Sequence, residues 1–119
     1  MPGATRDCLV RQFGTAWTLA RYHLDGLSTE ECLWPPPTAG PHVHLSADGR
    51  WHADWPTHEG YEIGPPSIAW LTWHVGFWWS TVLDRSFGEG TLAREDVDWP
   101  GDASAVRARL GDLEQRWRT

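Results

Sequence analysis

The sequence predicts an all-α domain, a helical bundle interrupted by one small β-hairpin. Three observations lead there. Three segments carry apolar residues at steps of three and four, the spacing of one helix face. Strong stop and start signals separate these segments: Pro35-Pro36-Pro37, Pro65-Pro66 and Trp99-Pro100-Gly101. Finally, Asp48-Gly49 sits between two short alternating runs, which marks one hairpin between the first and second helices.

The first helix is predicted over 5–27. Leu9, Phe13, Trp17, Ala20, Leu24 and Leu27 form its apolar stripe, and Ala20 is the small member where a neighbour can approach. Thr5 is the expected N-cap, and Asp7 falls in the first turn, where the helix dipole favours a carboxylate. Gly26 or Ser28 ends the helix. Ser28-Thr29-Glu30-Glu31 then matches a capping box and predicts one short helical turn, stopped by Trp34 and the three prolines.

The hairpin is predicted over 42–55. With Asp48-Gly49 as a two-residue turn, Ser46 faces Trp51, Leu45 faces His52 and His44 faces Ala53. The polar segment PTHEGYEIGPP that follows reads as a surface connector. The second long helix starts after Ser67 as N-cap, with Gly88 as its stop. Ile68, Leu71, Val75, Trp78 and Val82 form one stripe, and Trp70, Trp73, His74 and Phe77 widen the apolar surface. A helix apolar on most sides is expected to be buried on most sides. Residues 88–101 read as a loop. Asp102 caps a last helix, 103–118, with the stripe Val106, Leu110, Leu113 and Trp117.

Composition bounds the function. At 119 residues, the chain is expected to form a single domain, residues 1–119. Ten tryptophans give so short a chain the means to build a compact core. The net charge of −6, with no basic run, argues against nucleic acid or an anionic membrane as partner. The N-terminus lacks the pattern of a secretory signal, and the most apolar stretch, 68–83, is too short for a membrane span and carries Thr72 and His74. A cytoplasmic location is therefore expected. Cys8 and Cys32 do not form a disulfide framework or a CxxC pair. There is no GxSxG and no Gly-rich phosphate loop.

The order of parts is informative in itself: YHLDGLSTEECLWPPP closes the first helix, SIAWLTWHVGFWWS makes the second, and DWPGDA leads into the third. Over about residues 7–118 this resembles the DinB/YfiT-like superfamily of four-helix-bundle metalloproteins, in particular a tryptophan-rich branch. The resemblance implies that the helix-two histidine, here His74, is a metal ligand. It implies a divalent cation (Zn, Ni or Fe) and one of two chemistries. The first is a thiol-dependent transferase or isomerase using a low-molecular-weight thiol such as mycothiol, whose pKa the metal lowers. The second is a metal-dependent hydrolase with an activated water. In that superfamily the other two ligands come from the fourth helix, as a pair four residues apart. Here no such pair follows His74, and the three long helices leave the fourth missing, so a C-terminally truncated, incomplete site is expected.

Each candidate residue also has a plainer structural reading. His74 alone, on an apolar face, is better explained as a core or cleft histidine; Trp70, Trp73, Phe77 and Trp78 would line a pocket beside it, or simply pack. His42 and His44 share one strand face with Trp51 and Trp55 in the expected register. His52 falls on the other face with Val43 and Leu45, so the three converge only if the register slips by one. His23, beside Tyr22 and near Asp25, reads as a boundary residue, and His58 and Glu59 as solvated connector residues. Asp84 is ten residues beyond His74, about 15 Å along the axis, too far to share a metal. Cys8 reads as a small residue at the core edge, with a pKa lowered by the helix N-terminus and Arg11, and Cys32 as a thiol raised by Glu30 and Glu31.

Two functions follow. One is a DinB-like metal-dependent enzyme acting on a small-molecule substrate. The other is a non-catalytic association module, a homodimer formed through the groove left by the missing helix.

Overall fold

The computed structural model describes residues 2–38, 40–56 and 64–118. Its elements, in order, are α1 (Pro2–Asp25), α2 (Thr29–Leu33), β1 (Val43–Leu45), β2 (Trp51–Ala53), α3 (Ile68–Phe87), a 3-10 turn (Arg94–Asp96) and α4 (Ala103–Arg118). The fold is a helical bundle of α1, α3 and α4, with short α2 and the two-stranded antiparallel hairpin between α1 and α3. No helix among the described residues is long and apolar enough to cross a membrane.

Local caps set most of the boundaries. Ser28 Oγ accepts the Glu31 N–H at 3.1 Å and Glu31 Oε1 accepts the Ser28 N–H at 3.0 Å, the reciprocal pair expected of a capping box. Ser67 Oγ accepts the Trp70 N–H and starts α3, and the Gly88 N–H bonds Asp84 O where α3 stops. Asp102 Oδ1 accepts the Ala105 N–H at 2.8 Å and starts α4. The expected N-cap of the first helix is different: the helix begins at Pro2, so Thr5 lies inside it.

The core sits between α3 and α4. Val106, Leu110 and Leu113 of α4 meet Ala69, Trp73, Phe77 and Leu83 of α3 in one buried cluster. Gly76 faces α4 at this contact: a Cβ there would stand 3.8 Å from Leu110, an ordinary van der Waals distance. Trp99 is the largest fully buried side chain. Its backbone N–H bonds Trp51 O, its indole Nε1–H donates to Thr72 Oγ1 at 3.0 Å, and its ring meets Trp51 edge-on. The 88–101 segment is thus more than a loop: it holds the 3-10 turn and a bridge that ties the hairpin to the bundle. Arg50 adds a second tie through paired bonds to Asp98 at 2.7 and 2.9 Å.

Two predicted apolar stripes face differently from expectation. On α1, Phe13, Trp17 and Leu24 are half-buried, with Phe13 and Trp17 against Trp79, but Leu9 and Ala20 are exposed. On α3 the predicted core stripe, Ile68, Leu71, Val75, Trp78 and Val82, is the exposed face. The residues expected only to widen it, Trp70, Trp73 and Phe77, are buried with Ala69, Thr72, Gly76 and Leu83. Trp117, the last member of the α4 stripe, is also exposed.

Candidate functional site

His74 lies midway along α3, half-buried, at the border between the core face and the exposed stripe. Trp70, one turn earlier, stacks on its imidazole with ring centroids 4.7 Å apart and an angle of 19°. Trp78, one turn later, meets it edge-on at 6.3 Å. The spacing i−4, i, i+4 along one helix makes this sandwich. Trp70 is itself held: its indole Nε1–H donates to Asp54 O at 2.8 Å, so the hairpin fixes the ring on which His74 rests.

The other aromatics expected at a pocket form a ladder beneath. Trp73 and Phe77 stack at 5.2 Å and 5°, and Trp55 from the hairpin meets both edge-on. Trp73 Nε1–H donates to Val97 O. Trp70, Trp73 and Phe77 are buried, whereas Trp78 is exposed beside His74. Trp73 also borders a narrow void between α3, α4 and residues 97–100.

Two turns beyond His74, Thr81 Oγ1 is buried with no hydrogen-bond partner among the described residues. Ser67, His74 and Thr81, seven residues apart, follow one edge of α3. That i, i+7, i+14 spacing is present in the sequence, but Ser and Thr taken one at a time carry no signal in a helix.

The hairpin departs from its expected register by one residue. The pairs are Val43 with Ala53, His44 with His52 and Leu45 with Trp51. Ser46 N–H bonds Arg50 O, so the loop takes residues 47–49, with Gly49 at φ 81°. His52 therefore moves to the face of His42 and His44, while Trp51 moves to the face of Val43. The shared face still makes no metal cluster among the described residues, and the ring nitrogens have separate hydrogen-bond partners although His42 and His44 meet edge-on at 5.6 Å. His44 Nε2 bonds Asp54 and His52 Nε2 bonds Ser46 Oγ. Ser67 Oγ, which accepts the Trp70 N–H, also lies 2.7 Å from His42 Nδ1, within hydrogen-bond distance. Burial, followed by the neighbouring His44, holds the His42 pKa below its ordinary value, against the pull of Asp54.

The remaining candidates are not brought to His74. His23 is exposed in the last turn of α1, edge-on to Tyr22. Asp84 Oδ2 accepts the Leu92 N–H at 2.9 Å, a structural role in the 88–101 segment. Cys8 is exposed rather than at the core edge. Cys32 is buried, and its thiol is pushed up by burial first and by Glu31 second, with Arg107 opposing. His58 and Glu59 lie outside the described residues. Among the described residues, no three His, Cys, Asp or Glu side chains gather so as to hold a metal ion.

Compared with known families, residues 12–119 match the sequence model of the DinB superfamily. Comparisons with curated proteins and with solved structures give no match.

Proposed function

This chain belongs to the DinB superfamily, and on that premise we propose that it serves as a metal-dependent enzyme domain in which His74 is one donor to a divalent cation. The chemistry is that of a thiol-dependent transferase or isomerase, with mycothiol as one such thiol, or of a hydrolase. A divalent cation (Zn, Ni or Fe) would supply a thiolate or a hydroxide at neutral pH.

The observation that carries this reading is the setting of His74. Its ring is clamped between Trp70 and Trp78 at the edge of the open face of α3, not sunk in the core. A stacked, laterally fixed imidazole suits a ligand whose ring plane must be held. The described residues do not complete a cation site, since a protein site takes about three donors and they bring His74 alone. The further donors of this reading come from outside them. What the chain itself provides is orientation of the imidazole between Trp70 and Trp78.

The test is metal content per chain, measured on protein purified without an affinity metal, for wild type and His74→Ala. Metal in wild type and none in the variant is the expected result. Metal in neither, or the same amount in both, overturns the reading.

A further inference from the structure

Where the N-terminal half of α1 passes the end of α4, the two helices enclose a cleft of about 730 Å³. Leu9, Val10, Phe13 and Ala16 of α1 line one side and Trp117 of α4 the other, together with Arg6 and Arg118. Arg6, Leu9, Phe13 and Ala16 recur at steps of 3, 4 and 3. The α1 wall is therefore one helix face about 15 Å long, with a cationic residue at one end. Its apolar members are not satisfied by packing, since Leu9 is 60% and Val10 46% exposed.

The charge around this cleft runs against that of the chain. Its lining holds no Asp or Glu. A neighbouring cleft of about 750 Å³ shares Arg6, Trp117 and Arg118 and adds Arg116. The single carboxylate of that second lining, Asp84, already accepts the Leu92 N–H. Arg118 pairs through Nε with Glu114, and Arg6 forms no ion pair among the described residues. With Glu114 counted, Arg6, Arg116 and Arg118 still outnumber Asp84 and Glu114, on a chain of net charge −6.

We propose that the cleft between α1 and Trp117 binds a free long-chain carboxylate, its tail along Leu9, Val10 and Phe13 and its head group at Arg6 and Arg118. The volume lies within the range of small-molecule sites, about 300–1,000 Å³, and the lining is of their kind, apolar with a few polar groups. A guanidinium matches a carboxylate in charge and in geometry. A free molecule fits better than a membrane surface for two reasons. The acidic chain as a whole is repelled by an anionic bilayer, and the apolar residues line a recess between two helices rather than a convex face. His74 lines neither cleft, so the site stands apart from the metal reading.

The experiment is calorimetric titration in EDTA with octanoate, decanoate and dodecanoate below their micelle concentrations, and with dodecyltrimethylammonium as the cationic counterpart. Dodecanoate should bind at one per chain, with affinity rising up to about fourfold per methylene. Arg6→Gln should weaken binding about two- to fivefold, and Leu9→Ser about five- to tenfold. Val75→Ser, on the exposed stripe of α3, should leave it unchanged. At ten times Kd, amides of residues 6–12 should exchange about tenfold more slowly. Both altered side chains are exposed, and circular dichroism checks the fold; if Leu9→Ser loses helix, Val10→Ser replaces it. Absence of saturable binding overturns the proposal, as does equal affinity for the ammonium compound. Loss of binding in Val75→Ser, full binding in both Arg6→Gln and Leu9→Ser, or unchanged exchange over 6–12 also overturns it. Binding to phosphatidylglycerol vesicles without binding of free dodecanoate would make the site a membrane surface instead.

Discussion

Removing the Thr72 hydroxyl tests how the hairpin and the 97–101 segment are anchored to α3. Thr72 Oγ1 donates to Ala69 O at 2.8 Å and accepts the Trp99 indole N–H at 3.0 Å. Trp99 is 1% exposed, so water has no access to replace the acceptor. Thr72→Val keeps the shape and leaves that N–H buried and unpaired, which costs about 1–3 kcal/mol. For a chain of this length each kcal/mol lowers Tm by roughly 3–5 °C. Thr72→Ser keeps the bond and loses one methyl, about 0.8 kcal/mol. The decisive assay is a double-mutant cycle by urea unfolding, followed by circular dichroism because Trp99 is itself altered. In a Trp99→Phe background the donor is gone, so Thr72→Val should cost little there, and the coupling should be about 1–2 kcal/mol. If Thr72→Val is as stable as wild type, or costs the same in both backgrounds, the bond does not anchor the segment.

Three other predictions concern the same region and α4. Burial lowers the His42 pKa in the folded state, so the unfolded chain binds more protons as pH drops below about 6.5. The stability contributed by neutral His42 is full above that pH and is lost as pH falls through the lowered folded value. Urea midpoints measured from pH 7.5 to 5 should therefore fall more steeply for wild type than for His42→Gln; parallel curves would refute this. Gly101 has φ 104° and would place a Cβ 3.4 Å from Trp51 Nε1, so Gly101→Ala should destabilise by about 1–3 kcal/mol. Gly111 in α4 has open space at its Cβ, so Gly111→Ala should gain about 0.4–1 kcal/mol; a Gly101→Ala midpoint at or above wild type, or a Gly111→Ala midpoint below it, would contradict the respective account.

The boundaries of α2, α3 and α4 were legible because a cap is a local event: Ser28, Ser67 and Asp102 each bond a backbone N–H three residues on. The facing of α3 was not legible, because both of its sides are apolar and periodicity carries no sign telling inside from outside. The small residues Thr72 and Gly76 were the usable clue, since they mark the side that α4 approaches. The hairpin register failed by one because Asp48-Gly49 fits both a two-residue turn and the end of a three-residue loop. Tertiary contact, the Trp51 to Trp99 bridge, accompanies the second choice. His74 was recognisable from its motif. Its clamp between Trp70 and Trp78 follows from spacing of four, whereas the Asp54 carbonyl that steadies Trp70 joins residues 16 apart.

The attachment of α1 is lopsided. Near its C-terminal end Arg107 Nη1 donates to both Leu24 O and Leu27 O, and Phe13 and Trp17 rest on Trp79. Residues 3–12 are all exposed. About 36 Å of helix is thus pinned over little more than half its length. The two halves belong to different cooperative units: amides in the first three turns open on their own, at a free energy well below that of the whole fold, while those past Phe13 open only when the bundle does. Hydrogen exchange along this one helix would show a step, not a slope, and proteolysis of the native protein would begin before the step.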